Sequence, residues 1–392
     1  MAPGAWLRLT AVGAAVATGL AVVSGAAGGG VAHEALAAVA VPPLAALVIA
    51  AWIAHRRLLG PALMALVLFG VAALVTGHIA HVALASLAFA AALVSAAAVM
   101  RGEPVAAGPW RDYVALTKPR IMSLLLLTGL CGMFVGAEGV PALWLIAATM
   151  AGLALACGGA SALNHVLDQD VDRAMRRTAG RPVAAERIPA ARALEFGLTL
   201  SALSFVLLAS FVNVLTAVLA LVGNLFYVLV YTRWLKRSTP QNIVIGGAAG
   251  AVPPLVGWAA ATGNLTIPAL FLFLIVFFWT PPHFWALALL IKRDYAAAKI
   301  PMLPVVRGDR ETARQILLYS AALVPITLLP FFWHTLGVTY LVAAVLLGAS
   351  LLALAWRLKR ETTPARARLL FHFSLAYLAL LFVAMAIDPL VA

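Results

Sequence analysis

Asn164, Asp168 and Asp172 recur every four residues in the stretch Asn164-His165-Val166-Leu167-Asp168-Gln169-Asp170-Val171-Asp172. If that stretch is helical, the three side chains line one face. Two carboxylates one turn apart, with an amide oxygen above them, suit Mg²⁺. That ion wants hard oxygen ligands, takes few from protein and fills its sphere from substrate phosphates and water. Arg173, Arg176, Arg177 and Arg181 follow at once, and guanidinium groups grip phosphate oxygens bidentately. The same charges could simply pair with one another in a solvated loop. Against that, ionisable groups at the mouth of an apolar membrane helix are costly and usually functional.

A second cluster holds Lys292, Arg293, Asp294, Tyr295 and Lys299, then Pro301-Met302-Leu303-Pro304 and Arg307. It follows an aromatic run, Phe277-Phe278-Trp279-Thr280-Pro281-Pro282-His283-Phe284-Trp285. Asp294 could complete a metal site from the opposite side of a cavity. Tyr295 and Lys299 could bind a diphosphate. Taken alone, the run is also what an aromatic belt at a membrane interface looks like.

The elements that must position these residues are apolar helices. The chain has 392 residues, 64% hydrophobic and only 10% charged, where soluble domains are about half apolar and about a quarter charged. A spanning helix needs about 20 mostly apolar residues. Such runs lie near 10–28, 33–54, 61–77, 80–100, 121–138, 141–164, 190–212, 214–232, 241–261, 267–291, 313–333, 337–356 and 369–388. The expected fold is therefore all-α and polytopic. With the N-terminus in the cytoplasm, the inside segments and the adjoining first helical turns hold all 27 Lys and Arg. This is the positive-inside pattern, and it explains a net charge of +13 without invoking nucleic acid. An alternative start is a cleaved signal peptide, from Arg8 through the small residues near Ala26. Cys131 and Cys157 sit inside apolar runs and read as small buried hydrophobes.

Asn164-xxx-Asp168-xxx-Asp172, with Met175-xx-Thr178 and Arg181-Pro182, resembles the first aspartate-rich motif of the UbiA intramembrane prenyltransferase superfamily. Three more stretches resemble its protohaem IX farnesyltransferase (haem O synthase) branch. They are Asp112-Tyr113-Val114-Ala115-Leu116-Thr117-Lys118-Pro119-Arg120, Trp279 through Leu287, and Asp294-Tyr295 through Pro301-Met302-Leu303-Pro304-Val305-Val306. The match covers roughly residues 110–388. It implies a nine-helix ring around a lipid-open cavity, capped on the cytoplasmic side of the cell membrane by two polar loops. It implies Mg²⁺ on Asn164, Asp168, Asp172 and Asp294 as the catalytic metal site. Farnesyl diphosphate would be bound by Lys118, Arg176, Arg177, Arg181, Tyr295 and Lys299. The acceptor would be a vinyl group of haem b, contacted by His283 and Trp285. One departure stands out: Ala298 lies four residues after Asp294, where many superfamily members have a second aspartate.

Residues 1–105 have no place in the nine-span unit of 106–392. This four-span transmembrane extension weakly resembles half of haem A synthase, on His33-Glu34-Ala35-Leu36-Ala37 and His81-Val82-Ala83-Leu84-Ala85. The resemblance implies a haem bound between His33 and His81, and haem A synthase itself as a partner. The charged outer loop tied to catalysis in that family is missing, and Gly28-Gly29-Gly30-Val31-Ala32 stands in its place. Two competing readings are prenylation of an aromatic quinone precursor and, from another class, a membrane transporter. Charges gathered at one face and the lack of a repeated half speak against transport.

Overall fold

The structure, a computed structural model, describes residues 110–391 together with Gly13, Ala14 and Val16. The four-span extension with His33 and His81 lies outside the described residues.

All regular structure among the described residues is helical. Among the described residues, nine helices are long and apolar enough to cross a membrane: α2 Pro119–Gly136, α3 Leu143–Leu167, α5 Ala190–Phe211, α6 Val214–Ser238, α7 Asn242–Thr262, α8 Ile267–Leu290, α11 Gly308–Phe332, α12 Val338–Arg360 and α13 Pro364–Val391. They match the last nine expected spans, with ends that differ by a few residues. Four short helices lie between or before them: α1 Trp110–Leu116, α4 Gln169–Ala174, α9 Lys292–Ala297 and α10 Leu303–Val306.

Each spanning helix packs on the next in chain order, and α13 returns to α2, closing a ring. Consecutive helices therefore alternate in direction. Links 137–142, 212–213, 263–266 and 333–337 fall at one end. The long polar segments 168–189 and 291–307 fall at the other. Every Lys and Arg among the described residues lies at this second end. The outer surface carries Leu143, Phe211, Trp234 and Leu346, each more than 60% exposed. Apolar side chains this bare need lipid as their solvent.

Two cross-ring contacts tighten the ring. The α2–α7 crossing is built from small residues, which let backbones approach where no hydrophobic force acts between helices in lipid. A Cβ on Gly132 would meet the Pro254 backbone, and one on Gly257 would collide with the Gly129 carbonyl. Gly136 likewise faces Trp258 and Thr262 of α7, and Gly246 faces Tyr231. These small-residue spacings serve contacts within the chain. In the second cross-ring contact, α8–α13, Trp279 Nε1 donates to the Ser374 carbonyl at 2.7 Å.

One feature of α6 has no signal in the sequence. Phe226–Leu235 is π-helical, although it contains neither proline nor glycine. The stretch carries Thr232 and Tyr231 inward and leads straight into Lys236. π segments often sit at functional sites, and this one does so here. Cys131 is buried as expected, whereas Cys157 keeps part of its surface exposed. It packs at the edge of a cluster with Leu153, Ala156 and Leu208.

Replacing Gly257 by Leu should force α2 and α7 apart. Overpacking of a close interface costs about 1–3 kcal/mol or more. Melting of the detergent-solubilised variant should fall by several degrees, and an unchanged melting temperature would contradict the tight crossing.

Candidate active site

The helical face anticipated for Asn164, Asp168 and Asp172 exists, although the helix breaks within it. α3 ends at Leu167, with Asp168 as its C-cap. The backbone nevertheless keeps helical bonding across the break, because Asp168 N–H donates to Asn164 O at 2.9 Å and Asp172 N–H to Asp168 O at 2.7 Å. The three side chains are 3%, 0% and 2% exposed.

Buried carboxylates need partners; Lys236 and Arg181 supply them, and Lys118 joins through Asn164. Lys236 Nζ donates to Asp168 Oδ2 at 2.5 Å. Asn164 Nδ2 reaches the same oxygen at 2.7 Å and also Thr232 Oγ1 at 3.1 Å. Lys118 Nζ donates to Asn164 Oδ1 at 2.7 Å. Arg181 clasps both oxygens of Asp172 at 2.7 and 2.8 Å. Asp168 Oδ1 is buried with no hydrogen-bond partner, and Arg237 NH2 stands 3.9 Å from it. That orphan lone pair is an open ligand position in an otherwise satisfied network.

Lys118 is the most stressed cation. It sits in the left-handed region at φ 51°, directly before Pro119, where sterics favour an extended residue. Burial, and then repulsion from Arg181, lower its ammonium to about 7. An incoming anion would relieve both effects.

The second loop approaches the first. Arg177 N–H reaches Asp294 Oδ2 at 3.4 Å. Tyr295 is 8% exposed. Burial raises its phenol pKa, ahead of the charges of Arg177, Arg181, Asp168 and Asp294, and its ring shares a buried cluster with Val171 and Met175 of the first loop. Asp294 itself is not gathered with Asp168 and Asp172. Among the described residues no three of His, Cys, Asp and Glu form a group that could hold a metal ion. The donor set that does converge is two carboxylates with an amide beside them. This fits an ion that takes one or two carboxylates and completes its sphere with substrate phosphate.

Other expected site residues spread out. Arg176 and Arg177 are exposed at the rim. Lys299, also at positive φ, lines an adjoining cavity with Asp170, Ala174 and Arg237. Arg237 pairs with Asp170 at 2.6 Å. Asp170 lies two residues from both Asp168 and Asp172, which puts it on the other face of the helix.

His283 and Trp285 are likewise two apart and face different neighbours. The His283 ring stacks between Trp279 at 4.4 Å and Phe371 at 4.8 Å. Its Nδ1 is 2.7 Å from Ser374 Oγ. Ser374 Oγ also lies 2.8 Å from Phe371 O, so the serine hydroxyl links the His283 ring to the α13 backbone. Trp285 instead meets Tyr319 of α11 edge-on at 5.3 Å. The two residues do not form one acceptor surface.

Lys236 and Thr232 were not anticipated as site residues. In the sequence Lys236 is one of three basic residues at a helix end, indistinguishable from topological charge. Only the ring closure brings it across to Asp168.

Removing Lys236 should strand a fully buried carboxylate, at a cost of about 3–5 kcal/mol. Lys236→Met should unfold far more easily in denaturant than the parent, and Asp168→Asn added to it should recover most of the loss. A double variant no more stable than the single would refute the pairing.

Residues 125–382 match the UbiA prenyltransferase family. A protoheme IX farnesyltransferase of Symbiobacterium thermophilum is 55% identical over 280 residues, 71% of this chain and 94% of that one. A protoheme IX farnesyltransferase of Roseiflexus sp. is 52% identical over 281 residues; the match takes in 72% of this chain and 53% of that longer protein. The fold also matches a UbiA homologue from Archaeoglobus fulgidus bound to DMAPP and Mg²⁺. Its TM-score is 0.56 at 17% identity, over 70% of this chain and 99% of that one. The chain is a membrane prenyltransferase and belongs to the UbiA prenyltransferase family, on its protoheme IX farnesyltransferase branch.

Proposed function

We propose that the chain transfers a farnesyl group from farnesyl diphosphate to a vinyl group of haem b, making haem O, at the basic face of the ring. The carrying observation is the buried network of Asn164, Asp168 and Asp172, with its orphan Asp168 Oδ1 beside three cations. The names of the relatives support haem as acceptor, and the ring supports a site that is apolar on one side and charged at its mouth.

Asp168 and Asp172 would hold Mg²⁺, with Asn164 beside them. The metal would neutralise charge growing on the diphosphate as the allylic C–O bond breaks. Lys118, Arg181 and Lys236 already converge there, and each can turn from a carboxylate or amide to a diphosphate oxygen. Preorganised positive charge at the leaving group is what lowers the barrier to ionisation. Tyr295 closes the site from the second loop. Apolar helix walls would keep nucleophilic water from the farnesyl carbocation until it has bonded to the vinyl group. Diphosphate is the leaving group. A water molecule then adds to the cation left on the former vinyl group, losing a proton to give the hydroxyethylfarnesyl side chain of haem O. His283 offers Nε2 to the acceptor, held in plane by Trp279, Phe371 and Ser374. The basic face is cytoplasmic on this reading, because basic loops stay inside.

Membranes supplied with haem b, farnesyl diphosphate and Mg²⁺ should yield haem O by mass spectrometry, and Asp168→Ala or Asp172→Ala should abolish it. Product that survives both changes would sink the metal site. Product with a hydroxybenzoate but none with haem would assign the acceptor to quinone precursors. A pH profile tests Lys118 separately. Its ammonium titrates near 7 in the free enzyme and is raised by a bound anion. The KM for farnesyl diphosphate should therefore climb as pH rises above about 7, and Lys118→Arg should flatten that climb. An unchanged slope in Lys118→Arg would remove Lys118 from the diphosphate site.

A further inference from the structure

A second polar cavity lies away from the aspartate network. Its volume is about 120 Å³, and its walls include Gln241, Trp285, Arg307, Glu311, Gln315 and Tyr319. These residues come from the start of α7, the last turns of α8 and the first turns of α11. All three helices are long and apolar enough to span a membrane, and these parts of them lie at the basic end of the ring, the end that would face lipid headgroups.

Two hydrogen-bond donors in these walls lack an acceptor. Trp285 is 2% exposed, and its buried Nε1–H has no partner. The Arg307 guanidinium makes no hydrogen bond or ion pair with any described residue and acts on Glu311 only at a distance. Glu311 is already engaged, since Gln315 Nε2 donates to it at 2.7 Å and Arg314 lies 3.5 Å away. Arg307 is also the N-cap of α11, a 25-residue helix, whose N-terminal dipole favours an anion. A buried N–H without an acceptor is costly. A cation, a helix N-terminus and a stranded donor in one cavity all call for the same kind of group: an anion that only accepts hydrogen bonds.

We propose that this cavity is a subsite for the phosphate group of a membrane phospholipid, held by the Arg307 guanidinium and the Trp285 indole N–H. Inorganic phosphate shares the headgroup's acceptor chemistry but lacks the acyl chains that would lie along the α8–α11 seam. Trp285 is thereby assigned to lipid, and the acceptor side keeps His283.

The test uses the full chain, delipidated in detergent, titrated with phosphatidylglycerol and read by native mass spectrometry. The first bound lipid should weaken about tenfold in Arg307→Gln and in Trp285→Phe, the scale of one lost hydrogen bond to a charged group. Arg307 is exposed, so its replacement leaves the core untouched. Lys359→Gln, at a different basic helix end, should bind lipid like the parent. Equal lipid retention in the parent, Arg307→Gln and Trp285→Phe would overturn the site. So would an equal loss in Lys359→Gln, which would mean unspecific attraction to the basic face. Displacement of the lipid by millimolar inorganic phosphate would overturn the phospholipid assignment in favour of free phosphate.

Discussion

Two carboxylates buried beneath the mouth of a membrane helix set the terms for the rest of the molecule. Asp168 and Asp172 are buried there and need positive charge brought to them as partners. No single helix can supply it, because neighbours along one helix point elsewhere. Lys118 comes from the start of α2, Arg181 from the loop after α4, and Lys236 from the end of α6. Arg181 comes from the same loop as Asp172, but Lys118 and Lys236 reach the cluster only because the ring closes.

The same network suits ionisation of a diphosphate. Its cations are already desolvated, aimed and partly strained, as the left-handed Lys118 backbone shows. Charge held this way needs little reorganisation when an anion arrives. The site also has two distinct halves. Acidic groups come from the first loop, while the second loop contributes Tyr295 and a more distant Asp294. Ala298 stands where a further carboxylate would complete a second acidic set. The asymmetry visible in the sequence thus persists in three dimensions.

Aromatic residues that look like one belt in sequence divide by direction. Trp279 and His283 turn toward α13, where Ser374 fixes both. Trp285 and Phe278 turn toward Tyr319 of α11. Helical rotation of about 100° per residue separates them, so a run of rings need not make one surface. Spacing along the helix separates the two sets, but only the packed ring shows that one faces α13 and the other α11.

The sequence by itself determined the nine spans, their alternation and the basic end, because a bilayer allows few answers to long apolar runs and uneven charge. It also marked Asn164, Asp168 and Asp172 as one face, since four-residue spacing survives even a break in the helix. Tertiary structure alone decided which cations serve those carboxylates. Lys236, read from sequence as topological charge, reaches Asp168 across 68 residues, while the nearer Arg176 and Arg177 point to solvent. It also set Lys299 in a cavity beside Arg237 and Asp170, and Trp285 in one with Arg307 and Tyr319. The reason is physical: spacing along one helix fixes which side chains share a face, but contact between helix ends depends on how the ring closes.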